Sequence, residues 1–308
     1  MKSVVRSWTG ADVVALRDAR RMSLIEFAAH LGVSDRTVSK WEAKGADIKP
    51  QPVNQAALDT SMSRLTPDEL ARFRAVVPAG KFADVSDPVQ LIQPDRIRHP
   101  VDGRSMTLVP QGVFLSGPLD QRVWLPDYLI DTYPVTNADY RIFTTATGHS
   151  TPRHWADGQP SADIADHPVV WVTYDDATAY AQWARKELPT AQQWEKAARG
   201  TAGATWPWGN SITPAKCNCK VVRDDGEDGA TTPVDCYKSS VSPYGVYDLC
   251  GNVWEWLATE STPGRFELKG SSFASLLEAA APAAFNDARR SMSDNDTGFR
   301  CATTTLKL

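Results

Sequence analysis

The sequence predicts an α+β protein in two parts, an all-α module over residues 1–77 and a loop-rich α+β domain over residues 101–308. Three observations predict it. Residues 1–77 carry apolar positions at helical spacing behind serine and threonine caps. Residues 78–100 hold Pro78, Pro88, Pro94 and Pro100, which disfavour a helix and mark a linker. Beyond residue 100 the pattern changes to short apolar runs, frequent turns and nine of the eleven tryptophans, as in a compact mixed domain. A length of 308 residues agrees with two domains, and 42% hydrophobic content is ample for burial.

Ala11 to Arg21 reads as a first helix with Val13, Val14, Leu16 and Ala19 as its apolar stripe. Ser23-Leu-Ile-Glu26 opens a second as a capping box: the serine oxygen accepts from the amide three residues on, and the glutamate reaches back to the cap. Phe27, Ala28 and Leu31 follow at helical spacing, and Gly32 supplies a left-handed stop. Ser34 caps a third helix, Asp35 to Lys44, whose Val38 and Trp41 face inward and leave Arg36, Ser39 and Lys40 on the opposite side. Two short helices joined by a Gly-containing turn are the helix-turn-helix layout, in which the second helix enters the DNA major groove. The stretch from Ser23 to Glu42 resembles the Cro/repressor-like (XRE) helix-turn-helix family. That resemblance implies a DNA partner for residues 1–77, contacted by Ser34, Arg36, Thr37, Ser39 and Lys40. A plain three-helix bundle with a solvated polar face, or a protein-binding role, stays open. Asn54 to Leu65 and Pro67 to Val77 continue as helices, the latter capped by Thr66 with Glu69 at the box position. A homodimer of such a module would address paired half-sites.

Charge is unevenly spread. Residues 1–77 hold 12 Lys+Arg against 9 Asp+Glu, leaving 21 against 28 for the remainder of a chain whose net charge is −4. Only the first part is therefore suited to nucleic acid. No run of 18 apolar residues occurs and the first residues lack the apolar stretch of a signal peptide, so a cytoplasmic protein without a membrane partner is expected. Five cysteines, an odd number, argue against a full disulfide framework. Cys217-x-Cys219 is too tight for the usual zinc spacing, and the five histidines are not clustered, so zinc is not expected.

In the second part, Met106 to Gly117 reads as a hairpin, and Leu125 to Thr136 as a strand running into a helix capped by Thr136 or Asn137. Val169 to Thr173 reads as a strand ahead of a helix over Asp175 to Lys186. A further helix starts at Thr190, with Gln193 closing a capping box and Gly200 ending it. On it Trp194 and Ala198 share a face, while Glu195, Lys196 and Arg199 pair or point outward.

Five ordered stretches, residues 167–172, 188–200, 206–209, 245–256 and 298–301, closely resemble the formylglycine-generating enzyme (sulfatase-modifying factor) family. The resemblance covers about residues 103–303. It implies a C-type-lectin-like fold with little regular secondary structure and two structural calcium sites. The first falls on Asn218, the Cys219 carbonyl, Asp228 and the Ala230 carbonyl; the second falls on the side chains of Asp248 and Glu255 and the carbonyls of Gly251 and Val253. Hard oxygen donors on a flexible backbone are what calcium selects. For the acidic loop ending at Asp228 a solvated turn is the plain alternative.

Catalysis in that family depends on two cysteines that bind copper(I) and activate oxygen, and their positions fall here on Ser275 and Ala280. Neither a hydroxyl nor a methyl group replaces a thiolate for copper(I), so no copper and no catalytic residue is expected. The segment from Phe273 to Ser293 reads as a helix, as the lining of an apolar pocket, or as a loop that has lost its function. The combination predicts a DNA-binding regulator whose second domain holds a small molecule, peptide or protein without catalysis. Two alternatives stand: a metal-dependent oxidase or hydroxylase, and a lectin-fold variable display protein. In the latter, residues 274–296 would form the recognition surface, with Ser275, Leu277, Glu278, Arg289 and Arg290 as its contacts.

Overall fold

The chain divides into two units, residues 1–92 and 93–308. The computed structural model describes residues 4–5, 8–63, 65–78, 81–83, 96–213, 216–220 and 229–304.

The helices of the first unit are α1 (Gly10–Ala19), α2 (Leu24–Leu31), α3 (Asp35–Lys44), α4 (Pro52–Ser63) and α5 (Pro67–Val76), and polar caps begin α1, α2, α3 and α5. Ser23 Oγ accepts from the Glu26 amide at 3.3 Å while Glu26 Oε2 accepts from the Ser23 amide at 2.8 Å, and Thr66 with Glu69 repeats the device on α5. Helix α1 starts one residue before the expected Ala11 and stops at Ala19, because Arg21 turns to φ 55°. Gly10 is needed at its start: a Cβ there would lie 1.9 Å from the Trp41 carbonyl oxygen, so α1 approaches α3 closer than any side chain permits. Trp8, Val13, Leu16, Phe27, Leu31, Val38, Trp41, Leu58 and Phe73 fill one core, each large side chain contributing about 1.5–3 kcal/mol by burial. Arg17 Nε reaches Glu42 Oε1 at 2.7 Å, tying α1 to α3. A short antiparallel pair, β1 (Val4–Val5) with β2 (Phe82–Ala83), completes the unit.

The second unit is mixed α+β. One four-stranded sheet runs in the order β12 (Ala302–Thr303), β7 (Tyr128–Asp131), β4 (Ser105–Val109), β3 (Arg96–Arg98), and its described pairs are antiparallel. Another runs β10 (Asn286–Arg289), β9 (Arg265–Lys269), β8 (Trp254–Thr262), β11 (Thr297–Gly298), with β11 parallel to β8. A separate hairpin joins β5 (Gly112–Ser116) to β6 (Gln121–Leu125). Strand β3 lies inside the span expected as linker, and residues 84–95 of that span lie outside the described residues.

Three helices pack on these strands: α6 (Asn137–Thr147), α7 (Tyr174–Trp183) and α8 (Ala191–Arg199), capped by Thr136, Thr173 and Thr190. Tyr140, Phe143, Tyr180 and Phe299 stack edge-on and face-on between α6, α7 and the end of β11. Beneath them Lys186 Nζ bridges Asp102 at 2.7 Å and Asp131 at 2.8 Å, both with buried carboxylates. The Cys301 amide donates to Asp131 Oδ2 at 3.0 Å, so the last strand is pinned to this buried network.

Several sequence expectations are corrected. Residues 106–117 do not form a hairpin, since β4 pairs with β3 and β7 whereas β5 pairs with β6; Pro110 and a Gly112 at φ 139° turn the chain between the two sheets. Val169–Thr173 is not a strand: Trp171 at φ 61° interrupts the extended run, although the Val169 amide still reaches Val135 O at 2.9 Å. Of the two readings for Glu195, Lys196 and Arg199, pairing holds and outward exposure does not: all three are buried, with Arg199–Glu195 at 2.7 Å and Lys196 Nζ on Pro110 O at 2.6 Å. Of the three readings of the segment after Phe273 the loop holds, with one 3-10 turn, Leu277–Ala279, and then β10, and the helix does not form. No helix among the described residues is long and apolar enough to cross a membrane.

Candidate functional site

The turn after β9 brings the two expected catalytic positions into view. Gly270 at φ 98° and Ser271 at φ 62° reverse the chain, and buried Ser272 donates from Oγ to Asp296 Oδ2 at 2.8 Å. Ser275 Oγ lies 3.3 Å from the Ser272 amide, and the Ser275 carbonyl accepts from the Lys220 amide at 2.8 Å. The 3-10 turn then points Leu277 and Ala280 inward, where they pack with Trp206, Cys217, Cys219 and Cys250. Leu277, expected on a recognition surface, is therefore buried at 4% exposure.

Three cysteines meet at this point. Cys217, Cys219 and Cys250 have their sulfurs within 4.8 Å of one another, with Cys217 Sγ 3.4 Å from Cys219 Sγ. All three are buried, and no disulfide joins any of the five cysteines. The hydrogen bond with Cys219 and then burial raise the Cys217 thiol pKa, while burial raises that of Cys250. Sequence reasoning missed this set because Cys250 is distant along the chain; the signal available was Cys217-x-Cys219 beside a lone cysteine in Leu249-Cys-Gly251.

Gly251 explains why the strands of sequence converge here. It adopts φ 78°, and a Cβ would lie 2.5 Å from Asn218 O and 2.9 Å from Cys219 Sγ. Asn252, at φ 71°, ties the loop down: its Oδ1 accepts from the Thr232 amide at 2.9 Å and from Asn218 Nδ2 at 3.2 Å, and its Nδ2 donates to Asp248 Oδ2 at 3.0 Å.

The expected calcium donors separate by chemistry. Asp248 is buried, and burial pushes its carboxyl up to about 7, with the Asn252 amide as its side-chain hydrogen-bond donor. Arg300, which donates to the Asp248 backbone carbonyl at 3.2 Å, acts on this carboxylate through space, and among the described residues no basic side chain forms a salt bridge with it. Glu255 differs, for Arg300 grips both its oxygens at 2.7 Å and Trp194 Nε1 donates to Oε2 at 2.9 Å. In the other set, Asn218 Nδ2 donates to the Ala230 carbonyl oxygen at 2.8 Å as well as to Asn252 Oδ1. Asp228 lies outside the described residues. Asp248 thus shares one turn with Gly251 and Val253, while Asn218 lies against the Ala230 carbonyl.

Arg289 and Arg290 are exposed, Arg290 paired with Asp175, and Ser275 is half-buried; the Glu278 side chain lies outside the described residues. Elsewhere an open pocket of about 610 Å³ is lined by Gln193, Glu195, Glu267, Lys269, Ala283 and Phe285 among others. Burial lowers the pKa of the Lys269 ammonium and raises that of the Glu267 carboxyl there. In the first unit Ser34 Oγ caps α3 by accepting from the Thr37 amide at 3.2 Å, Thr37 is half-buried, and Arg36, Ser39 and Lys40 are exposed on the side away from Val38 and Trp41.

Residues 93–305 match the family described as sulfatase-modifying factor enzyme 1-like domain. The chain is 31% identical over 321 residues to a formylglycine-generating enzyme of Thermomonospora curvata, covering 80% of this chain and 98% of that protein. It is 30% identical over 300 residues to an inactive C-alpha-formylglycine-generating enzyme 2 of Mus musculus, covering 79% and 94%. The solved structure of PvdO from Pseudomonas aeruginosa shares the fold at TM-score 0.55 and 23% identity, covering 68% of this chain and 97% of that one.

Proposed function

The chain belongs to the sulfatase-modifying factor enzyme 1-like family through residues 93–305, and from that premise we propose a regulator whose residues 1–77 bind DNA and whose family domain binds without oxidising. The observation that carries the reading is the absence of sulfur at Ser275 and Ala280 in a family domain otherwise built around its motifs. A relative named inactive, at 30% identity, agrees with it. In the first unit α2, Gly32 and α3 act as the helix-turn-helix, and Ser34, Arg36, Thr37, Ser39 and Lys40 meet the phosphates and base edges. A homodimer would double these contacts. Calcium at Asp248, and at Asn218 with Ala230, is structural: when bound it supplies the positive charge that the buried carboxylate lacks. The pocket bearing Lys269 and Glu267 suits a polar small molecule or peptide end.

An oxidase reading has its own support, since the similarity to the Thermomonospora enzyme spans 98% of that protein. Oxygen uptake with a cysteine-containing peptide separates the two, and none above the buffer rate is expected. The DNA half is tested by titrating the full chain with duplex DNA against salt. Affinity should fall steeply with salt, and Lys40→Ala should reduce the log–log slope by about one. Salt-independent or absent binding would sink the DNA assignment.

A further inference from the structure

We propose that Cys217, Cys219 and Cys250 form a binding site for a soft monovalent metal ion, copper(I), built from sulfurs other than those at the positions of Ser275 and Ala280. The three sulfurs lie within 4.8 Å of one another, so a single ion between them reaches all three with little movement of the backbone. Two independent stretches supply them: one strand of sequence gives Cys217 and Cys219, the glycine turn gives Cys250, and Gly251 is forced against Cys219 by the close approach already described. The arrangement is therefore held by the fold.

Donor chemistry selects the ion. Three thiols and no nitrogen or carboxylate donor form the group among the described residues. Hard ions are excluded by sulfur. Structural zinc takes four protein ligands, and iron–sulfur clusters are held by four cysteines, whereas copper(I) is satisfied by two or three thiolates. The surrounding side chains, Trp206, Trp208, Leu277 and Ala280, are apolar or aromatic and exclude water, which protects a cuprous ion from oxidation. Binding forms copper–sulfur bonds, and each sulfur that binds as thiolate gives its proton to solvent; no electron is transferred. All three sulfurs are buried among the described residues, so the site holds the metal and performs no turnover on it. The proposal stands on the sulfur geometry and not on the DNA assignment of residues 1–77, so either can fail alone.

The test uses the full chain, loaded without oxygen with copper(I) in competition with a cuprous chelator, and read by metal analysis and X-ray absorption at the copper edge. One copper per chain with a sulfur-only inner shell is expected. Cys219→Ser should lose this binding, while Cys236→Ser, outside the trio, should keep it. If Cys219→Ser does not fold, the sulfur-only shell of the unmodified chain together with retention in Cys236→Ser decides in favour. No stoichiometric copper, oxygen or nitrogen in the inner shell, zinc bound in preference to copper, or copper retained by folded Cys219→Ser would each overturn the proposal.

Discussion

Cys250 Sγ lies 3.4 Å from the backbone oxygen of Ala280, the residue that stands where the family resemblance places a thiol. The segment that has no sulfur is thus packed against sulfur delivered by two other stretches of chain. Methyl and isobutyl groups from Ala280 and Leu277 occupy the space beside it within the family domain.

The Glu255–Arg300 pair, wholly buried with both carboxylate oxygens gripped, anchors the glycine turn to the last strands. Glu255→Gln leaves a buried guanidinium without its counter-charge and should destabilise the second unit by about 3–5 kcal/mol. Urea denaturation followed by tryptophan fluorescence measures it, and a loss below about 1 kcal/mol would contradict the role given to the pair.

Asp248 gives the second unit a pH dependence of unusual sign. Its carboxyl titrates near 7 in the fold against an ordinary value of 3.8, so the unfolded chain ionises first as pH rises. The stability associated with this group is fully present below about 4 and lost as pH climbs through 7. In chelator, thermal midpoints should fall over that window more in the native protein than in Asp248→Asn, and calcium should reverse the fall. Equal pH profiles for the two proteins would refute this.

Gly251→Ala should be disruptive out of proportion to one methyl group. The new Cβ meets Asn218 O at 2.5 Å and Cys219 Sγ at 2.9 Å, at a φ of 78° that side chains rarely adopt. A loss of about 1–3 kcal/mol from overpacking is expected, with metal binding at the trio weakened at the same time. Unchanged urea midpoints would show that the loop relaxes freely.

Ser23→Ala removes the acceptor for the Glu26 amide at the start of α2 and should cost about 1 kcal/mol in the first unit. The second unit's unfolding transition should not move.

Caps and glycine stops made the helices legible: Ser23, Ser34, Thr66, Thr136 and Thr190 each begin the helix their side-chain chemistry implies. Pairing was not legible, because β4 and β5 are adjacent in sequence yet join different sheets, and strand alternation names a face but not a neighbour. Burial of Glu195, Lys196 and Arg199 was equally hidden, since charged residues at helical spacing read as a solvated face until Leu115, Gly117 and Pro110 carbonyls appear around them. The sulfur trio required a contact between residues 217–219 and 250 that no local pattern encodes. Arg300 was visible within its motif, but its partner Glu255 was assigned to a cation; the structure instead places a guanidinium there.

The regulator reading is tested most directly by recovering genomic DNA fragments on the full-length protein, beside the Arg36→Ala/Lys40→Ala variant. The account predicts enrichment of a small set of fragments sharing one sequence, lost in the variant. Enrichment that is absent, or equal for the two proteins, would contradict it.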